Sequence, residues 1–198
     1  MFAQVIQGRT GDAAALWNRL EEWDRSLKPG VEGYLGTTAG VSDDGEFIAV
    51  ARFESEEAAR RNSDRPEQDE WWAETEKLLD GEVRFYDSTQ VDLMLEGGSD
   101  DAGFVQVMQG RVKDKERLLE MEAQAQSWMK ENRPDVVGSV RVWQGDEFSE
   151  FIYFTSEEEA RAGEKKEPPS EMGSEEEWSG MMEDLKFIDV RKPFLSSP

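Results

Sequence analysis

The sequence predicts an α+β fold. Two copies of a βαββαβ unit each form an antiparallel four-stranded sheet with both helices on one face, and the two pack sheet to sheet. Three observations predict this. The opening strand FAQVIQGR, Phe2 to Arg9, is written again as FVQVMQGR, Phe104 to Arg111. Further blocks follow in the same order in each half: Trp23–Gly36 with Trp128–Arg141, Glu46–Arg60 with Glu147–Arg161, and Val83–Asp87 with Leu185–Asp189. Within each half, the spacing of apolar residues and the turn residues give the same succession of strands and helices.

Each element has a local reason. The first strand covers residues 2–9. Asp12, or Asp114 in the second copy, can cap the helix that follows. Leu16, Leu20, Trp23 and Leu27 recur at three to four residues and give that helix one apolar face, and Pro29-Gly30 ends it. In this reading Pro29, Val31 and Gly33 match Pro134, Val136 and Gly138. A strand from about Gly33 to Val41 leads into the tight turn SDDGE, where Gly45 suits positive φ, and the strand EFIAVARF follows. Ser55 and Ser156 cap the second helices, with glutamates at their positive ends. In the first copy this helix breaks near Pro66 and resumes as EQDEWWAETEKLL. VRFYDSTQVDLML reads as the last strand of the first copy, and Gly163–Glu177 as a mobile polar loop in the second. Phe47, Phe53, Phe85, Phe148, Phe154 and Phe187 make a bare sheet face costly, since burying one such side chain is worth ~1.5–3 kcal/mol. Two like sheets can cover each other, so the second copy does the work of a dimer partner. The expected boundaries are a first repeat over 1–95, a flexible link over 96–103 and a second repeat over 104–198.

Composition excludes several kinds of chemistry. The 198 residues contain no Cys and no His. This removes the thiol nucleophile, disulfides, the commonest zinc ligand and the usual proximal haem ligand. Acidic residues outnumber basic ones 45 to 23, giving a net charge of −22. Phosphate neutralisation needs Lys and Arg, so neither nucleic acid nor an anionic membrane is an expected partner. No export signal or membrane span is legible, and a cytoplasmic protein is expected. Flavin, haem and nicotinamide motifs are absent, so no cofactor and no metal are expected.

Several polar and aromatic residues invite a functional reading. Arg52 and Arg84 interrupt apolar strand positions, and Tyr86 shares a face with Arg84. In an enclosed interior an Arg seeks a carboxylate or an anionic ligand, and on an outer edge it is a solvated charge. A phenol beside a guanidinium could hold a phenolate or enolate. Asn62 could orient a substrate carbonyl or cap the next helical turn. Trp71 and Trp72 point about 100° apart on a helix, so one is core and the other is available to line a pocket. The second copy has Gly163, Lys186 and Ile188 in place of Asn62, Arg84 and Tyr86.

The repeated Phe-x-Gln-Val strand, the βαββαβ order and the Trp-bearing second helix resemble the antibiotic biosynthesis monooxygenase family. That resemblance implies a fused pair of ferredoxin-like repeats closed into a pseudo-dimeric α+β barrel. It implies a small-molecule-binding barrel protein with scope for cofactor-independent monooxygenase chemistry on a phenolic or enolic compound, and a small aromatic ligand as partner. The family's oxygenase pattern of Asn and Trp on the second helix and Arg on the last strand carries over onto Asn62, Trp71 or Trp72, and Arg84. With Tyr86, Asn62 and Arg84 are the expected catalytic residues; Trp71, Trp72 and Arg52 are the expected substrate contacts. The alternative is a non-catalytic structural or partner-binding protein with a degenerate site.

Overall fold

The computed structural model describes residues 1–95, 97–166, 169 and 173–198. Residue 96 of the expected link, and residues 167, 168 and 170–172 of the polar stretch 163–177, lie outside the described residues. The chain divides into two units, one of Met1–Val91 with Lys192–Pro198, the other of Asp92–Arg191. The element order duplicates the same succession in each.

In the first unit, β1 (Phe2–Arg9), β2 (Tyr34–Val41), β3 (Glu46–Phe53) and β4 (Arg84–Ser88) carry the helices α1 (Ala13–Ser26), α2 (Glu56–Ser63) and α3 (Pro66–Glu76). A short 3₁₀ turn, Lys28–Gly30, follows α1. In the second, β6 (Phe104–Val112), β7 (Val136–Gln144), β8 (Glu147–Phe154) and β9 (Met182–Val190) carry α4 (Lys115–Asn132), α5 (Glu157–Gly163) and α6 (Glu175–Met181). Two more strands, β5 (Val91–Met94) and β10 (Phe194–Ser196), complete the sheets. Sheet order is β10-β2-β3-β1-β4 in the first unit and β5-β7-β8-β6-β9 in the second.

This order corrects the barrel expectation. Closure requires a sheet's first and last strands to hydrogen-bond, and each sheet instead ends on distinct edge strands, β10 and β4 or β5 and β9. Each repeat is ferredoxin-like and open. The stretch read as one last strand is two: Ser88 Oγ accepts from the Gln90 amide at 3.0 Å, and this local turn ends β4 before β5 starts. β5 then pairs in the second unit's sheet. Likewise β10 pairs with β2, setting Phe194 opposite Ala39.

Local rules account for most boundaries. Asp12 Oδ1 accepts from the Ala15 amide at 2.9 Å, and Asp114 Oδ1 accepts from the Arg117 amide at 3.0 Å. Ser55 and Ser156 cap α2 and α5 in the same way. Pro66 opens α3 at a position where no amide hydrogen is needed. Gly45 turns the β2–β3 hairpin at φ 83°, and a Cβ there would lie 2.7 Å from the Thr10 carbonyl oxygen.

The register revises one alignment. β2 pairs with β3 so that Gly36 faces Arg52, and β7 with β8 so that Gly138 faces Tyr153, each beside a bulge. Gly138 therefore corresponds to Gly36, not to Gly33. α4 runs to Asn132 whereas α1 stops at Ser26, and a shorter connection after α4 absorbs the added turn. The similar Pro and Gly residues in those connections lie at different structural positions. Among the described residues, no helix is long and apolar enough to cross a membrane.

Candidate functional site

Strand pairing sorts the side chains onto two faces. In the first unit Ile6 pairs with Ala49 and with Phe85, and all three look toward the helices. Val5 pairs with Val50 and Tyr86, and Gln7 with Ile48 and Arg84. Arg52, opposite Ala3, belongs to that second face too.

This divides the residues singled out from sequence. Trp71 lies under the helices, packed against both apolar clusters of the first unit, its ring 6.5 Å from that of Trp23. Its Nε1 donates to the Arg19 carbonyl at 3.0 Å, and Arg19 Nη2 donates to the Trp71 carbonyl at 2.9 Å. Trp72 meets Phe85 edge-on at 5.3 Å. Asn62 is buried, and its Oδ1 accepts from Arg65 Nη1 at 3.1 Å, while Arg65 also reaches the Leu27 carbonyl at the end of α1. Arg84 is well exposed, 3.7 Å from Glu82. Arg84 and Tyr86 are thus together, but across the sheet from Asn62, Trp71 and Trp72. Arg52 Nε is buried with no hydrogen-bond partner among the described residues.

The helix-facing side of the second unit is different. Here a cavity of about 1060 Å³ opens between the sheet and α4, lined among others by Met108, Leu118, Glu122, Met129, Arg141 and Trp178. Leu118, Glu122, Ala125 and Met129 recur at helical spacing, so one stripe of α4 forms a wall. Arg141 of β7 lies on the opposite wall and is 6% exposed; Glu150 of β8, its direct cross-strand partner, is 4% exposed. Arg141 Nε donates to Glu150 Oε2 at 3.0 Å, and Nη2 to the same oxygen at 2.6 Å. Arg141 Nη1 and Nη2 grip the two oxygens of Glu122 at 2.9 and 2.5 Å. Ser139 Oγ donates to Glu150 Oε1 at 2.7 Å. Burial works against the charged guanidinium. The bond to Glu122 and the charges of Glu150 and Glu122 outweigh it and hold Arg141 above its ordinary pKa.

The corresponding positions of the first unit are apolar. Counting from the N-caps Asp12 and Asp114, Glu122 matches Leu20. Counting along the hairpins, Arg141 opposite Glu150 matches Ala39 opposite Ala49. Leu20, Ala39 and Ala49 join one cluster with Leu16, Phe47 and Phe194, and Trp71 packs against it. One fold thus exists with and without the charged cluster. The fold does not need these charges, and a buried ion pair is not in itself a source of stability.

Sequence reasoning missed Glu122, Ser139, Arg141 and Glu150. A signal was there. Gln144 and Glu147 flank the Gly145-Asp146 turn, and counting outward from them places Arg141 opposite Glu150, an opposite-charge pair amid apolar strand residues.

No protein-family model matches the sequence, and no curated protein matches it. Solved structures share the fold. A candidate monooxygenase from Lactobacillus acidophilus NCFM superposes with a TM-score of 0.72 at 15% identity, covering 99% of both chains. One from Fusobacterium nucleatum gives 0.79 at 9% identity, covering 99% of this chain and 94% of its own. An anthrone oxidase-like protein gives 0.61 at 10% identity, over 98% and 92%. At these identities the likeness is one of fold: two ferredoxin-like repeats in tandem.

Proposed function

We propose that the chain binds one small, mainly apolar molecule in the second unit's cavity, and there acts as a cofactor-independent, monooxygenase-like enzyme on a phenolic or enolic compound. The observation that carries this reading is the contrast between repeats: a charged cluster beside a cavity in one, tight apolar packing in the other. Concave, largely apolar pockets with a few convergent polar groups are the usual form of ligand sites. The fold neighbours with monooxygenase and oxidase names support the reaction class. In this reading the substrate's own electron-rich ring reacts with dioxygen once its hydroxyl proton is withdrawn. A ring CH2, reacting as its enol, supplies all four electrons and becomes C=O; one oxygen atom ends in that carbonyl and the other leaves as water. The protein supplies Glu122 as proton acceptor, Arg141 as the group that fixes its carboxylate in place, and Trp178 with the methionines as an apolar wall. Asn62 and Trp71 serve the packing of the first unit, and Arg52, Arg84 and Tyr86 stand outside the site.

Calorimetry with a panel of hydroxylated aromatics and quinones, followed by oxygen-uptake assays on each hit, tests the proposal. One molecule bound per chain, lost in Ala125→Phe with its narrowed cavity, is the expected result. A panel without a binder, or binding that Ala125→Phe leaves intact in a folded protein, overturns it. Binding without oxygen uptake would favour a carrier over an enzyme.

A further inference from the structure

We infer, resting on the cavity reading above, that Glu122 is the polar anchor of the site and selects ligands carrying a neutral hydrogen-bond donor, a hydroxyl or N–H group, over their carboxylate and methyl-ether analogues. The argument starts from what the cluster leaves free. Four of the five guanidinium N–H groups of Arg141 are committed to Glu122 and Glu150. The guanidinium is therefore a poor receptor for an incoming anion. Glu150 is sealed: its side chain is 6% exposed, one oxygen takes Ser139 and the other takes Arg141 twice. Glu122 alone of the three is open, with 33% of its side chain exposed, and it lines the cavity. Each of its oxygens accepts one bond from Arg141, which leaves each a lone pair.

The cluster is also unbalanced. One guanidinium stands between two carboxylates, so the group carries net negative charge. A carboxylate ligand brought against Glu122 meets like charge in a partly desolvated site. Of the other cations lining the cavity, Arg133 is committed to Asp135, Lys166 donates to the Asn132 carbonyl and Lys165 is exposed. A methyl ether brings an acceptor to an acceptor. A hydroxyl or N–H completes an open lone pair. Sites built to hydrogen-bond a donor discriminate strongly against analogues that lack it, because the buried partner is then unpaired. Arg141 is here a positioning residue: its two-point grip on Glu122 fixes the carboxylate against the cavity wall, with Glu150 and Ser139 holding Arg141 in turn.

Three probes with one ring system test this on the full chain: 2-naphthol, 2-methoxynaphthalene and 2-naphthoate. Binding is followed by calorimetry and by quenching of tryptophan fluorescence. The wild type is expected to bind the naphthol at least tenfold more tightly than the ether and to bind the carboxylate more weakly still. The comparison protein is the triple variant Glu122→Leu, Arg141→Ala, Glu150→Ala, which reproduces the residue types of the first repeat and so has a precedent for folding. It is expected to bind naphthol and ether within threefold of each other. A wild type that binds the ether or the carboxylate as well as the naphthol overturns the inference while leaving the cavity reading intact. So does a naphthol preference that survives in the triple variant. Failure of all three probes overturns the donor assignment, and failure of the wider panel as well removes the cavity reading beneath it.

Discussion

Arg141 and Glu150 face each other across β7 and β8, where the first repeat sets Ala39 against Ala49. The same hairpin thus holds a buried ion pair in one copy and two methyl groups in the other. Removing one partner of a buried pair strands the other charge, at a cost of ~3–5 kcal/mol, whereas replacing the whole group by apolar residues can be neutral. Arg141→Ala should therefore lose ~3–5 kcal/mol in urea unfolding. The triple variant with Leu and two Ala should lose less than that single substitution, an outcome that additive contributions forbid.

The C-terminal strand contributes core to the first unit. Phe194 is 6% exposed, belongs to the cluster of Leu16 and Leu20, and meets Trp17 edge-on at 5.8 Å. Phe194→Ala should cost ~3–5 kcal/mol. Tryptophan fluorescence, to which Trp17 and Trp71 contribute among seven tryptophans, should show the loss in the unfolding midpoint.

Tyr34 gives stability an alkaline limit. Burial, above all, lifts its phenol pKa from 10.0 to about 12, with bonds to Ser196 and Thr37 opposing the rise. A folded-state pKa above the unfolded value means that the contribution is complete below pH 10 and disappears as pH climbs through 12. Wild type should lose stability across this window relative to Tyr34→Phe. Denaturation midpoints of the pair, measured at successive pH values, check the difference.

Asp24 sets an acid counterpart. Burial favours its neutral form, but the hydroxyl of Ser196 and the ammonium of Lys28 prevail and draw its pKa below 3.8. A depressed pKa contributes stability above the unfolded value and loses it as pH falls through the folded one. Hydrogen exchange at residues 194–196, corrected for its intrinsic pH dependence, should quicken on acidification below about pH 3.8. Asp24→Asn should quicken it already at neutral pH and flatten the acid response.

Arg84 and Asn62 separate the two site readings. Arg84→Ala touches an exposed side chain and should alter stability by less than ~0.5 kcal/mol. Asn62→Ala deprives Arg65 of a buried acceptor and should cost ~1–3 kcal/mol. Neither should change the affinity of a ligand held in the second unit, as read by calorimetry. A tenfold loss in either variant would return the site to the first unit.

What was legible follows from range. Duplication, the Asp and Ser caps, the break at Pro66 and the turn at Gly45 are local, and each has its own chemical signature in the sequence. The edge strands are not: nothing within FLS says that Phe194 will pair with Ala39 of β2, because that choice depends on a sheet assembled elsewhere in the chain. Barrel closure failed as an expectation for the same reason, since it is decided by which strands end as edges. Asn62 and Arg84 stand out in the sequence because their residue types match a pattern, and residue type does not give the face of the sheet. The face on which a strand residue lies decides whether it meets the helices, and Arg84 and Phe85 fall on opposite sides by one residue.

Synthesis on the ribosome acquires an unusual order from β10. Domains ordinarily fold as they emerge, the N-terminal one first. Here the first-made unit must wait for its fifth strand until the whole of Asp92–Arg191 has been translated, roughly 5–20 s at ordinary elongation rates. During that interval the second unit, whose strands are all contiguous from Asp92 onward, can mature ahead of the unit that preceded it. The nascent first unit meanwhile exposes the edge of β2 and the gap left by Phe194. That is the point at which a chaperone would find a foothold.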